Sequence, residues 1–254
     1  MVELSTRVKT MASSPTLRLV QIKKQLQSQG RVILDFGAGE PDFPTPENIK
    51  KAGMDAIQGN FTKYTPTSGI AELKKAIRAS YLAEQGFDAK DAQIIVSPGS
   101  KYGLFLLLQA VIDPGDEVIV PLPYWVSYPE MVKFCGGGVV FADHLHAARP
   151  FDLMAASYVS KCTSRTKAVI VNSPSNPTGK IMSGAELAAL VDFFHEKNIL
   201  VIVDDCYRKI IYRDGSYPSP LTLVPAAREQ VAVISSLSKT YAMTGWRLGY
   251  AIAS

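Results

Sequence analysis

Cysteine and histidine are scarce, with three of each in 254 residues. Cys135, Cys162 and Cys206 lie far apart without paired spacing, which argues against a disulfide scaffold and a zinc site and points to a reducing compartment. His144 and His146 sit in a polar stretch and read as surface residues rather than metal ligands, so no metal is expected. No apolar run approaches the ~20 residues of a membrane span. The opening MVELSTRVKTMASSPTLRLV holds no continuous apolar core of a signal peptide. The expectation is a cytoplasmic protein with no membrane partner. Concentrated charge is also lacking: 27 basic and 23 acidic residues leave +4, spread without the dense basic block that nucleic-acid binding uses. No G-x-G-x-x-G follows a strand and opens a helix, which argues against a nicotinamide-dependent dehydrogenase.

What is present is ample apolar material, 47% of residues, enough for a sizeable core at this length. Helical patterning runs over 15–29, with Pro15 near the start and Gly30 as the stop, then over 47–58 and 69–85. A short strand is predicted from Arg31 to Phe36. From about residue 92 short β-rich runs alternate with helical ones: strands at Gln93–Val96, Glu117–Val120, Val139–Ala142, Thr166–Val171, Leu200–Val203, Val231–Ile234 and Gly249–Ala253. The intervening helices are expected at 100–112, 125–135, 152–160 and 183–197. Runs such as AVIVN and ILVIVDD are apolar throughout, as strands buried on both faces are, so the expected fold is α/β with a mainly parallel sheet flanked by helices.

Chemistry concentrates at the ends of those strands. After Val231–Ile234 comes Ser235-Ser236-Leu237-Ser238-Lys239-Thr240, with Arg247 eight residues beyond Lys239. A lysine among hydroxyls with a nearby guanidinium suits an aldehyde cofactor carrying a phosphate: the amine forms a Schiff base and the other groups hold the dianion. Taken alone, Lys239 reads as a surface lysine. Leu200–Val203 runs into Asp204-Asp205-Cys206-Tyr207, placing a carboxylate where a strand ends; helix N-capping is the plain alternative for either aspartate, and it is kept for Asp205. AVIV leads into Asn172-Ser173-Pro174-Ser175-Asn176-Pro177-Thr178-Gly179, a rigid turn in which an X-Pro bond is a candidate for cis. Ser97-Pro98-Gly99-Ser100-Lys101 opens a helix after a strand, where backbone N–H groups can receive a phosphate.

Together these strings resemble the class I/II aminotransferases, the fold-type I family dependent on pyridoxal 5'-phosphate. The Lys239 segment matches S-x-x-K-x-(Y/F)-x-M-x-G-x-R and the Asn172 segment matches N-x-P-x-N-P-T-G. The resemblance implies that Lys239 carries the cofactor and shuttles a proton, with Ser236, Arg247, Ser100 and Lys101 around the phosphate. It implies that Asp204 faces the ring nitrogen, that Tyr207 and Asn176 face the phenolic oxygen, and that Trp125 of Pro123-Tyr124-Trp125 stacks on the ring. Lys239, Asp204 and Tyr207 are thereby the expected catalytic residues, and Gly39, Trp125 and Asn176 the expected substrate contacts. Tyr64, in Tyr-Thr-Pro-Thr-Ser-Gly-Ile, matches a tyrosine that reaches the phosphate of a neighbouring subunit, so a homodimer with shared sites is implied.

Residues 1–45 are read as an N-terminal arm and small-domain segment and 46–254 as the cofactor-binding large domain. Family members continue beyond the strand matching Gly249–Ala253 into a C-terminal small domain that carries the arginine for the substrate α-carboxylate. No position here matches that arginine, so the chain is expected to be a fragment or short form. The activity implied is transfer of an amino group from an amino acid, aspartate first because Pro-Tyr-Trp-Val-Ser-Tyr-Pro-Glu-Met-Val resembles the bacterial aspartate branch, to a 2-oxo acid. A C–S lyase or aminocyclopropane-carboxylate synthase on the same fold, or a non-catalytic cofactor- or partner-binding protein, are the alternatives.

Overall fold

The computed structural model describes residues 2–9, 11–12, 15–35, 37, 39–144, 152–212 and 217–254. The strands are β1 (Ile94–Ser97), β2 (Glu117–Leu122), β3 (Gly138–Asp143), β4 (Thr166–Asn172), β5 (Leu200–Asp204), β6 (Val231–Ser236) and β7 (Gly249–Ile252). They form one sheet in the order β1-β7-β6-β5-β4-β2-β3. Every pairing is parallel except those of β7, which runs antiparallel to both β1 and β6. Among the described residues the helices are α1 (Thr6–Lys9), α2 (Pro15–Ser28), α3 (Glu47–Gln58), α4 (Ala71–Gln85), α5 (Ser100–Val111), α6 (Ser127–Phe134), α7 (Ala155–Val159), α8 (Gly184–Glu196), α9 (Pro220–Leu223) and α10 (Leu237–Thr240), with three short 3₁₀ turns between them. None is long and apolar enough to cross a membrane.

The apolar runs of the sequence are buried on both faces of this sheet, because side chains alternate across it. Val201 and Val203 join a core with Ile77 and Tyr81 of α4, Tyr158 of α7, and Leu187, Leu190 and Phe194 of α8. Ile202, between them, points the other way and packs with Ile170 and Ile234 against Leu104 and Leu108 of α5 and Tyr128 of α6. Local signals set the helix ends. Ser183 caps α8 by accepting a hydrogen bond from the Glu186 N–H at 3.2 Å, and α4 stops at Gly86, which takes the left-handed conformation at φ +66°.

Two expectations need correction. Residues 31–35 form no strand and leave Val32 and Leu34 exposed, because among the described residues no neighbouring strand supplies partners for them; Phe36 lies outside the described residues. His144 is fully buried rather than on the surface: its ring packs on Tyr158 at 5.0 Å and its Nδ1 faces the Met154 N–H at 3.4 Å. His146 lies outside the described residues. The helix expected over 152–160 is shorter, Ala155–Val159, and the other elements fall within a few residues of their expected bounds.

Candidate active site

The carboxyl ends of parallel strands in an open α/β sheet form a rim where ligands bind. Here the rim of β1, β4, β5 and β6 encloses a cleft of about 590 Å³, lined among others by Gly39, Ser100, Lys101, Trp125, Asn176, Asp204, Tyr207, Ser236, Lys239 and Arg247. That volume is in the range of small-molecule sites. All ten of these residues were singled out from the sequence. Tyr64 is the exception: it stands fully exposed outside the cleft of its own chain.

At the base, Asp204 ends β5 with its side chain buried. Its Oδ2 accepts a hydrogen bond from Tyr128 Oη at 2.7 Å and its Oδ1 accepts one from the Cys206 N–H at 3.2 Å. Both donors are neutral. Burial therefore raises the Asp204 pKa above the ordinary carboxylate value, and the two hydrogen bonds only partly offset it. A buried carboxylate held by neutral donors suits a cationic N–H partner placed in the cleft.

Tyr207 follows in the turn after β5, and its Oη accepts a hydrogen bond from Asn176 Nδ2 at 3.2 Å. Burial first, then the Asp204 charge, pushes the Tyr207 phenol up to about 12, so it is a neutral hydroxyl at physiological pH. Asn176 is fixed by Asn172, whose Oδ1 accepts the Asn176 N–H at 2.6 Å while its Nδ2 donates to the carbonyls of Pro174 and Asp204. Both Ser173-Pro174 and Asn176-Pro177 are cis, as is Leu122-Pro123.

Lys239 lies on α10, directly after β6. Its Nζ donates to the Gly39 carbonyl and sits 5.9 Å from the centre of the Tyr207 ring. Burial holds its pKa below the ordinary lysine value, and the nearby Arg247 charge works in the same direction. A partly desolvated amine beside hydroxyl and carbonyl groups is suited to nucleophilic attack on a carbonyl.

The opposite corner is built for an anion. Helix α5 begins at Ser100 with Gly99 as N-cap and no side-chain cap, so its first N–H groups remain available. Arg247 packs so close that a Cβ on Gly99 would lie 2.2 Å from its Nη2; Gly99 also has φ +85°, which only glycine adopts without strain. Gly249 is equally constrained, since a Cβ there would meet the Ser100 backbone nitrogen at 2.3 Å. Arg247 itself is held at φ +54°, its Nη1 donating to the Thr244 carbonyl at 2.7 Å. Ser236 lines the same corner, its Oγ accepting the Ser238 N–H at 3.0 Å. Trp125 forms a half-buried wall, edge-on to Tyr128 with centroids 5.3 Å apart, and Lys101 Nζ lies 5.4 Å from its ring.

Sequence reasoning missed Tyr128, Asn172 and Cys206, all of which line the cleft. The N-x-P-x-N spacing was a signal for Asn172. Nothing in the local sequence signals that Tyr128 meets Asp204 across 76 positions. An amine, a buried carboxylate, an amide–phenol pair, an indole wall and a cationic helix N-terminus together fit a planar, phosphorylated heterocycle with a carbonyl group.

The chain is 41% identical, over 97% of its length, to the probable aspartate/prephenate aminotransferase of Aquifex aeolicus, covering 62% of that protein. It is 44% identical, over 98% of its length, to the probable aspartate/prephenate aminotransferase of Rhizobium leguminosarum, also covering 62%. The solved aspartate aminotransferase from Thermus thermophilus with maleate superposes with a TM-score of 0.93 at 41% identity, over 100% of this chain and 65% of that one. The chain thus spans less than two thirds of the length of these relatives. The family model for aminotransferase class I and II matches residues 31–254, most of the chain including every residue of the cleft named above, and the chain belongs to that family.

Proposed function

We propose that this chain binds pyridoxal 5'-phosphate through Lys239 and takes part in transfer of an amino group from an amino acid, aspartate first, to a 2-oxo acid. The observation that carries the proposal is the meeting, in one cleft, of the Lys239 amine with buried Asp204, the Asn176–Tyr207 pair and the Arg247-flanked start of α5. When bound, pyridoxal phosphate supplies a carbonyl for covalent linkage to amines and a pyridine ring that draws electron density from the amino-acid Cα.

Each residue then has a distinct task. Lys239 Nζ would hold the cofactor covalently and, once freed by the incoming substrate amine, would accept and return a proton, helped by a pKa below the ordinary lysine value. Asp204 would accept a hydrogen bond from the ring nitrogen and favour its protonated form by charge pairing. Tyr207 and Asn176 orient the phenolic oxygen. Ser100, Lys101, Ser236, Arg247 and the α5 N-terminus hold the phosphate. Trp125 covers the ring and, with Gly39 and Asn176, borders the space for the substrate.

Exposed Tyr64 belongs to the site of a second copy, so the working unit is a homodimer. In this reading residues 46–254 form the cofactor domain, residues 1–45 an arm and small-domain segment, and the location is the cytoplasm.

The test is an absorbance spectrum of the purified chain with pyridoxal phosphate, before and after L-aspartate, beside Lys239→Ala. A visible band that requires Lys239 and converts to the amine form of the cofactor supports the proposal. A band that ignores aspartate and other amino acids means cofactor binding without turnover. A band equally strong in Lys239→Ala removes the role of Lys239.

A further inference from the structure

Directly behind the cleft, on the other face of the sheet, lies a buried polar cluster. Asp204 faces α6, and the next residue, Asp205, faces α4, where its Oδ2 accepts a hydrogen bond from Tyr81 Oη at 3.0 Å. Arg208, its side chain 8% exposed, has Nε 3.8 Å from the same Asp205 oxygen. The guanidinium also donates from Nη1 to Glu84, and from Nη2 to Ser80 Oγ at 3.2 Å and to Tyr250 Oη at 3.5 Å. Its plane sits 4.6 Å from the Tyr81 ring centre. Lys209 adds a second ion pair to Glu84.

Tyr207 lies between the two anchored residues. The turn that carries it is bonded at both ends: Asp205 N–H to Ile234 O at 3.0 Å, Arg208 N–H to Asp205 O at 2.8 Å, and Ile210 N–H to Tyr207 O at 2.8 Å. A buried guanidinium with this many partners has few alternative positions, because moving it strands a desolvated charge. The backbone of 205–208 is therefore fixed to α4 from behind while the Tyr207 side chain projects forward to Asn176.

We propose that Arg208, with Asp205 and Tyr81, is a positioning element that fixes the Tyr207 hydroxyl at Asn176 and beside Lys239, and thereby sets the electronic state of the bound cofactor. The inference rests on the cofactor reading above. It assigns to a cluster outside the cleft the task of holding this turn from behind, through the buried side chains of Asp205 and Arg208.

The test is a double-mutant cycle read on the pH midpoint of the cofactor's visible band. Arg208→Lys keeps the charge but loses the planar fork. Tyr81→Phe removes only the hydroxyl at Asp205 and serves where the first variant fails to fold. Each should move the midpoint by about half a pH unit or more in the otherwise unmodified protein, and by nothing further in the Tyr207→Phe background. Equal shifts in both backgrounds, or a lowered melting temperature with an unmoved midpoint, overturn the proposal.

Hydrogen exchange on the cofactor-free protein separates this inference from the cofactor reading. If the unmodified chain captures no pyridoxal phosphate, the cofactor reading fails, and the peptide covering 204–211 decides this one. Exchange there should rise about tenfold in Arg208→Lys while β4 and β6 stay protected. A uniform rise across the sheet overturns it.

Discussion

Replacing Gly249 by alanine is a severe test of the anion corner, because the space for one methyl group is accounted for atom by atom. The new Cβ would lie 2.3 Å from Ser100 N, 2.6 Å from the Gly99 carbonyl carbon and 3.0 Å from Gly99 Cα. Comfortable contacts of this kind are at roughly 3.5 Å, so relief requires a movement of about 1 Å. The obstructing atoms are backbone, not the ends of flexible side chains. On one side stands the start of α5; on the other β7 is held between β1 and β6 through Ser97↔Gly249 and Ser236↔Gly249. Overpacking against rigid elements costs about 3 kcal/mol. With a urea dependence of about 3 kcal/mol per molar for a chain of this size, the unfolding midpoint should fall by about 1 M. The displaced α5 N-terminus should also weaken capture of pyridoxal phosphate by about tenfold or more. Gly245→Ala is the control: nothing lies within 4 Å of its new Cβ, and its stability should stay within about 0.5 kcal/mol of the unmodified protein. An unchanged urea midpoint and cofactor affinity in Gly249→Ala would refute the close packing of the corner.

Three further perturbations follow from the geometry. Burial pushes the Asp205 carboxyl up to about 6, so its contribution to stability is full below the ordinary value near 3.8 and is lost as pH rises towards 6. Two pH units correspond to about 3 kcal/mol, so urea midpoints should fall across pH 4 to 6 in the unmodified chain but not in Asp205→Asn; parallel profiles would refute this. Ile202→Ala empties a fully buried position facing α5 and should cost about 3 to 4 kcal/mol in urea unfolding, the cavity being walled by strand side chains that collapse little. Tyr64→Phe should leave the unfolding midpoint of the single chain within about 0.5 kcal/mol, because the ring is fully exposed, and weaken cofactor retention only under conditions where sedimentation shows a dimer.

The strands of the sheet were legible because runs such as AVIVN and ILVIVDD can only be apolar throughout when both faces are covered. Most of the cleft was legible because its residues follow the ends of β1, β2, β4, β5 and β6, each of which runs into a distinct motif. Other features depend on contacts that no local pattern encodes. Val32 and Leu34 have the composition of a strand, but a strand exists only where another supplies hydrogen bonds, and among the described residues no strand pairs with 31–35. The polar surroundings of His144 suggested exposure, yet Tyr158 covers its ring from α7. The Tyr81–Asp205 hydrogen bond joins positions 124 apart and appears only when α4 docks on the sheet. Asp205 was set aside as a possible helix cap; its burial against Arg208 gives it a different part to play.

The reversed direction of β7 has a further consequence. In a parallel sheet, each strand delivers to the rim the residues that follow it, and the chain must then cross back over a layer of helix before the next strand begins. Because β7 enters the sheet from the rim itself, the chain leaving β6 at Ser236 turns and re-enters at Gly249 without ever leaving the ligand-binding edge. This hairpin presents the amine of Lys239 on its outgoing limb and the guanidinium of Arg247 on its returning limb. The amine and the guanidinium are thus spaced by a single short loop, so their separation is insensitive to sliding or repacking of the surrounding helices.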